Sequence, residues 1–163
     1  MIILDTDIVS NLRKKKPHPR LAAWIEAIGW DELATTALTV MEIQIGIERA
    51  RRVDRVVAEA VQHWLDDLLA AGTPQILPLD AAAAVILAKM RETPSLKDFL
   101  VQHLSAKEAK TGAGLAIASI AIAFGAAIAT NNDKDFLAID RHFPLPGLYN
   151  PFENQWSIKP GRA

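Results

Sequence analysis

The fold is decided by the opening stretch Met1-Ile2-Ile3-Leu4-Asp5-Thr6-Asp7-Ile8-Val9-Ser10. A short apolar run that stops at Leu4 is typical of a buried strand in a parallel sheet, although such a run alone also fits the start of a helix. As a strand, it places Asp5 at its carboxyl end, which is where open α/β sheets bind their ligands. Asp5 is therefore either part of a metal site or the cap of the helix that follows.

Composition indicates one globular domain. The chain has 163 residues, of which 50% are hydrophobic and 23% are charged, and it has no cysteine. Disulfides and thiolate metal sites are thereby excluded, which fits a reducing cytoplasm. We see no signal-peptide pattern, and the apolar stretch 113–129 splits at Gly125 into a helix and a strand, so we expect a cytoplasmic protein without a membrane span. The net charge of −1 restricts any nucleic-acid contact to local basic groups.

Strand patterns alternate with helical patterns along the chain. After the first strand, short strands are predicted at 33–36, 75–79, 126–130 and near 148–149. This alternation predicts an α/β fold: a three-layer α/β/α sandwich around a central, mainly parallel four- to five-stranded sheet. We expect a single domain over residues 1–152 and a C-terminal tail over 153–163. The polar segment 92–110 is predicted as an insert with a helix around Phe99 to Leu104.

Polar side chains cluster where three of the predicted strands end. Asp5 follows the first strand, Glu42 lies early in the helix after the second, and residues 132–135 follow the fourth. Carboxylate and amide oxygens suit Mg²⁺ or Mn²⁺, so the pattern points to metal-assisted hydrolysis of a phosphodiester.

Structural roles explain the same residues equally well. Glu42 stands three residues after Thr39, as in a capping box, and Asp7 or Ser10 can cap the first helix. The 132–135 loop also fits a solvated turn. Two basic clusters, Arg13 to Lys16 and Arg49 to Arg55, either contact RNA phosphates or form solvated faces.

The chain resembles PIN-domain ribonucleases, and within them the VapC/FitB-like toxins of bacterial toxin–antitoxin pairs. Five motifs carry the resemblance, in the order in which that family has them: Leu4-Asp5-Thr6-Asp7-Ile8-Val9-Ser10, Thr39-Val40-Met41-Glu42-Ile43-Gln44-Ile45-Gly46-Ile47, Ile76-Leu77-Pro78-Leu79-Asp80, Ala129-Thr130-Asn131-Asn132-Asp133-Lys134-Asp135-Phe136 and Asn150-Pro151-Phe152. The resemblance implies a PIN fold over most of the chain and cleavage of RNA.

The resemblance also implies a role for each matching residue. Asp5, Glu42 and Asp135 would bind Mg²⁺ or Mn²⁺, and Asn132 would complete the catalytic set. Thr6 and Thr130 would orient the carboxylates from behind. The implied partners are an RNA substrate, a cognate antitoxin and a second copy of the chain, with operator DNA contacted only through the antitoxin.

One position departs from the family pattern. The family carries a further acid at the start of the buried helix, and alignment back from Gly125 and Ile117 puts Gly114 there. Glu108 is the nearest acid upstream, and Asp7 stands where the family usually has Asn. The alternative function is therefore a catalytically impaired PIN-fold module that binds an antitoxin and acts in a complex. A phospho-acceptor receiver domain, which also has acids at strand ends, fits the pattern less well.

Overall fold

A computed structural model describes residues 1–99 and 113–161. Within these ranges the strands are β1 (Ile2–Leu4), β2 (Leu33–Thr36), β3 (Gln75–Leu77), β4 (Ala127–Ala129), β5 (Leu148–Asn150) and β6 (Gln155–Ile158). The helices are α1 (Thr6–Leu12), α2 (Pro19–Ile28), α3 (Ala37–Arg51), α4 (Arg55–Ala71), α5 (Ala81–Glu92), α6 (Ala113–Phe124) and α7 (Asp133–Asp140). Short 3₁₀ helices cover Trp30–Glu32 and Pro94–Phe99. The helix predicted around Phe99 to Leu104 lies outside the described residues.

The strands form one sheet in the order β3-β2-β1-β4-β5-β6. β1 to β5 run parallel, and only β6 is antiparallel to its neighbour. The predicted α/β architecture is confirmed. Strand order reverses between β1 and β4, because the chain grows outward from β1 in one direction and from β4 in the other. Such a switch point leaves a crevice at the carboxyl ends of its two strands, which is where ligands bind in open α/β sheets.

Two hydrophobic cores lie on opposite faces of the sheet. Successive side chains of a strand point to opposite faces, so Ile3 packs into one core with α5, α6 and α7, and Leu4 packs into the other with α1 to α4. Helix α6 is apolar all round, and most of it is buried, as the sequence predicts. In the described ranges, no helix combines the length and the apolar character needed to cross a membrane.

The helix caps correct two expectations from the sequence. Helix α3 is capped by Thr36, whose hydroxyl oxygen accepts a hydrogen bond from the backbone N–H of Thr39 at 3.1 Å. The predicted capping box of Thr39 and Glu42 is therefore wrong, because the helix starts three residues earlier than the pattern suggests. Helix α1 is capped by Asp5, not by Asp7 or Ser10.

The segment expected to be a tail contains an edge strand. β6 pairs with β5, with Trp156 opposite Tyr149 and Ile158 opposite Leu148. The rings of Tyr149 and Trp156 lie 4.9 Å apart between centroids, and Ile158 is buried. The sheet therefore has six strands, one more than the largest number predicted, and it extends past residue 152.

Truncation tests the contribution of β6. A chain that ends at Phe152 loses the buried Ile158 side chain and leaves the edge of β5 uncovered, so we expect its free energy of unfolding to fall by more than about 2 kcal/mol. Urea unfolding followed by circular dichroism measures the change. A chain that ends at Pro160 keeps β6 and serves as the control. Equal stability of the two truncated chains would show that β6 adds nothing to the fold.

Candidate metal centre

Asp5 lies at the switch point with its carboxylate buried. The residue is 9% exposed, and its two carboxylate oxygens have different donors. Oδ1 accepts a hydrogen bond from the backbone N–H of Thr6 at 2.7 Å, and Oδ2 accepts one from the hydroxyl of Thr130 at 2.7 Å. The backbone N–H of Asp5 donates to the carbonyl of Ala129 at 3.0 Å. Asp5 thus caps α1 and at the same time joins the ends of β1 and β4.

Thr6 connects Asp5 to a second carboxylate. Its backbone N–H donates to Asp5, and its hydroxyl donates to Oε2 of Glu42 at 2.6 Å. Glu42 lies in the second turn of α3, whose start is fixed by the end of β2 at Thr36. The sequence predicts that Asp5, Thr6 and Glu42 are neighbours, and the structure brings them together. We call Asp5 and Glu42 the acid pair.

The loop after β4 joins the site through a chain of hydrogen bonds. The backbone N–H of Asn132 donates to the hydroxyl oxygen of Thr130 at 3.0 Å, and the amide Nδ2 of Asn132 donates to Oδ2 of Asp135 at 2.7 Å. Over residues 1–99 and 113–161, no three acidic or histidine side chains lie together in a group that could hold a metal ion. A direct metal contact from Asp135 therefore stays a prediction.

Two further acids fasten this loop in place. Oδ2 of Asp7 accepts from the backbone N–H of Asn131 at 2.9 Å. Asp133 accepts from the amide Nδ2 of Asn150 at 3.0 Å and from the hydroxyl of Ser157 in β6. The sequence marks Asp7 and Asp133 as acids near the site but gives no sign of these partners. The motif Asn150-Pro151-Phe152 was the one signal in the sequence for these contacts. The side chain of Asn150 holds the loop through its hydrogen bond to Asp133.

Burial and like charges raise the pKa of Asp5 and of Asp7. Burial, with smaller contributions from the charges of Asp7 and Glu42, raises the pKa of Asp5 from 3.8 to about 7, although the hydrogen bonds from Thr130 and Thr6 act in the opposite direction. Partial desolvation also raises the pKa of Asp7, with a smaller contribution from Asp133. A divalent cation would relieve this crowding of negative charge.

Gly114 is the second residue of α6, so it lies inside the helix and not in a tight turn before it. Among the residues that the structure describes, a Cβ atom built at this position meets no atom within 4 Å beyond its chain neighbours and the backbone of its own helix. Packing therefore does not require glycine here, and an aspartate side chain has room.

The donor set of the site matches the coordination chemistry of Mg²⁺. This ion usually keeps several waters and takes one or two carboxylates together with oxygens of a phosphate substrate. The acid pair supplies two carboxylates held by the same threonine, and Thr130 orients one of them from behind. The residues present therefore fit a Mg²⁺ ion that is coordinated largely by water and substrate.

The fold and the site define the class: an α/β protein with an acidic site at the switch point of a mainly parallel sheet. The model of the PIN domain family matches residues 2–142, and the chain belongs to this family. The family membership removes the receiver-domain alternative.

Known relatives agree with this assignment. The chain is 30% identical over 139 residues to the VapC ribonuclease Y4jK of Sinorhizobium fredii, covering 85% of this chain and 91% of that protein. It is 26% identical over 156 residues to Toxin FitB of Neisseria gonorrhoeae, covering 94% of this chain and all of that protein. A solved structure of FitAB bound to an IR36 DNA fragment superposes with a TM-score of 0.65 at 25% identity, covering 93% of this chain and 96% of that one.

The raised pKa of Asp5 makes a prediction about stability. A carboxyl with a higher pKa in the folded than in the unfolded state binds more protons when folded, so its contribution to stability is present at pH 4 and is lost as the pH rises to about 7. Asp5→Asn removes this pH-dependent loss of stability, because an amide does not ionise. It keeps the shape of the side chain and an oxygen that accepts the hydrogen bond from Thr6. We expect Asp5→Asn to raise the free energy of unfolding at pH 8 by at most about 4 kcal/mol, and so to raise the Tm at that pH. At pH 4 we expect the Tm to be unchanged.

Thermal unfolding in EDTA at the two pH values measures this difference. Asp80→Asn is the matched control, because Asp80 also caps a helix, through the N–H of Ala83 at 2.8 Å, but lies away from the acid pair. A Tm gain for Asp5→Asn that is the same at pH 4 and pH 8 would contradict the assigned pKa.

Proposed function

We propose that the protein is a metal-dependent endoribonuclease toxin that hydrolyses phosphodiester bonds of RNA and is neutralised by a cognate antitoxin. The observation that carries the proposal is the acid pair, two carboxylates held by Thr6 at the switch point of the sheet. Two acids that share one hydrogen-bonding threonine, one of them buried with a raised pKa, are costly for a purely structural site and are useful for binding a cation. The relatives named as a VapC ribonuclease and as a toxin support the reaction and the biological role.

Each residue of the site has a distinct task in this reaction. Asp5 and Glu42 would hold Mg²⁺ or Mn²⁺, and the bound ion would lower the pKa of a water and neutralise charge on the phosphate. Thr6 and Thr130 fix the direction of the carboxylate oxygens. Asn132 keeps the neighbouring loop in register through its N–H contact to Thr130. Asp5 must lose its proton to bind a cation, so metal affinity rises with pH up to about 7.

Gly114 supports a second candidate, the catalytically impaired interaction module. The position at which the resemblance expects an acid carries no side chain, and the space for one is open. With one carboxylate fewer, the metal would be held more weakly. In this case the chain would bind its antitoxin and act only within the complex.

Cleavage of single-stranded RNA in Mn²⁺ separates the two candidates. We expect the native chain to cut RNA, and Asp5→Asn and Glu42→Gln to cut it more than about 100-fold more slowly, because each removes a proposed ligand. Glu48→Gln is the matched control on α3, since Glu48 is exposed and contacts Arg51 instead of the acid pair. Gly114→Asp should tighten Mn²⁺ binding, measured by calorimetry.

The outcomes of this experiment exclude one candidate or the other. Cleavage by Gly114→Asp but not by the native chain would refute the nuclease proposal and support the interaction module. A native chain that neither binds Mn²⁺ nor cuts RNA would refute the nuclease proposal as well. Equal cleavage by the native chain and Asp5→Asn would show that the activity does not come from this site.

For the antitoxin, we propose the apolar groove between α1, α2 and α4. This groove has a volume of about 620 Å³, and its walls include Leu12, Ile25, Trp64 and Leu68. An amphipathic helix of a partner can place its apolar face in a groove of this kind. The FitAB complex, which contains a relative of this chain, supports an antitoxin partner, and we retain the homodimer as part of the proposal.

Charge placed in the groove tests this assignment. Leu68→Glu puts a carboxylate against an apolar partner face, so we expect the affinity for the co-expressed antitoxin to fall by about tenfold or more. Leu69→Glu is the control, because Leu69 is the next residue of α4, is 42% exposed and does not line the groove. Co-purification and calorimetry measure the complex. Equal loss for both variants would argue against the groove as the binding site.

A further inference from the structure

A second cavity adjoins the acid pair on the side of α1, α3 and α4. It has a volume of about 250 Å³, and Thr6 and Glu42 form part of its lining. The remaining wall is mostly apolar and includes Ile43, Ile47 and Val57. Because Thr6 and Glu42 belong both to the site and to this lining, the cavity adjoins the proposed metal centre.

Gly46 is an exposed residue of α3 that lines this cavity. It is four residues after Glu42 on α3, so the two positions share one face of the helix. A helix is less stable with glycine than with alanine at an interior position, so the presence of Gly46 needs an explanation. Packing does not supply that reason, because a Cβ built at Gly46 meets no atom within 4 Å. The glycine instead leaves space directly beside the acid pair.

Arg13 adds a positive charge to the same cavity. Its side chain is exposed, and the structure gives its guanidinium no hydrogen bond or ion pair within the described residues. Arg51 and Arg55, which belong to the other basic cluster, are instead paired with glutamates of their own helices at 2.7 and 2.8 Å. Among the described residues, Arg13 is thus a cation that lines the cavity next to Glu42.

We propose that this cavity is a nucleotide subsite, which holds the RNA residue next to the phosphate that is cut. The proposal rests on the proposed ribonuclease function. The base lies against the apolar wall in the space left by Gly46, and Arg13 contacts the adjoining phosphate. Single-stranded RNA is bound in this way in general, with bases against apolar or aromatic surfaces and phosphates on arginine. A cavity that joins apolar walls, a cation and the proposed cleavage site matches this ligand.

The test fills the cavity while preserving the fold. Gly46→Leu projects a side chain into the open space, so we expect the affinity for a short fluorescein-labelled single-stranded RNA in EDTA to fall by about tenfold or more. Gly46→Ala should weaken it less. The Tm of Gly46→Leu should match or exceed that of the native chain, because leucine favours the helix over glycine. Fluorescence anisotropy and thermal unfolding give the two readouts.

Two further variants control for charge and for surface change. Ala84→Leu adds the same side chain at an exposed position of α5, on the opposite face of the sheet, and should leave RNA affinity unchanged. Arg13→Gln should weaken binding and reduce its dependence on salt concentration, because one phosphate contact is lost.

Some results would overturn the subsite. The subsite proposal is wrong if Gly46→Leu binds the RNA as tightly as the native chain does. A Gly46→Leu variant that loses the co-expressed antitoxin but keeps RNA affinity would show that the cavity receives a peptide. The proposed function fails separately if the native chain binds RNA in a way that Gly46→Leu weakens but does not cut it in Mn²⁺; that result would leave a nucleotide-binding cavity and overturn its place beside a cleavage site.

Discussion

The burial of the Asp5 carboxylate is the constraint on which the site depends. A carboxylate removed from water needs hydrogen-bond donors for its oxygens, and these donors come from two parts of the chain. The N–H of Thr6 belongs to the first turn of α1, and the hydroxyl of Thr130 follows β4. Satisfying one side chain therefore requires β1 and β4 to be adjacent and α1 to start at the switch point. The pKa of about 7 shows that these donors compensate the burial only in part.

The number of acids at the site exceeds the number available for a metal. Asp7 and Asp133 accept hydrogen bonds from Asn131, Asn150 and Ser157, and they thereby hold the loop after β4. Asp5 and Glu42 both accept hydrogen bonds from Thr6, Asp5 from its backbone N–H and Glu42 from its hydroxyl, so that Thr6 links the start of α1 to α3. Acids of similar position thus divide into two groups: Asp7 and Asp133 hold the loop after β4, and Asp5 and Glu42 form the acid pair around Thr6.

Local sequence patterns were sufficient for most of the fold. The apolar strands, the Ala-rich buried helix and the acid at the end of β1 each depend on neighbouring residues, and they were predicted correctly. The start of α3 was not, because Thr36 and Thr39 are both able to cap a helix and only the end of β2 decides between them. β6 was missed because its pairing partner and its turn, where Asn154 adopts a positive φ of 56°, have weak local signals.

The proximity of Asp5, Thr6 and Glu42 was predictable from the sequence, but the contacts between them were not. The resemblance placed Asp5, Glu42 and Thr6 in one motif set, yet the hydroxyl of Thr6 reaches Glu42 across 36 positions of sequence. The spacing of the residues along the chain does not predict such a contact. The same is true of Gly46, whose place in a motif is visible in the sequence, whereas the open space around it appears only once α1, α3 and α4 are packed together.

The hydrogen bond between Thr130 and Asp5 also has a kinetic meaning. It joins residues that are 125 positions apart, and β6 adds a link from Ser157 back to the same loop. Contacts between residues so distant in sequence require the closure of a long loop, which delays their formation during folding. Helix pairs such as α3 with α4 can form early from nearby residues. We therefore expect the acid site to be completed late in folding, after both ends of the chain have joined the sheet.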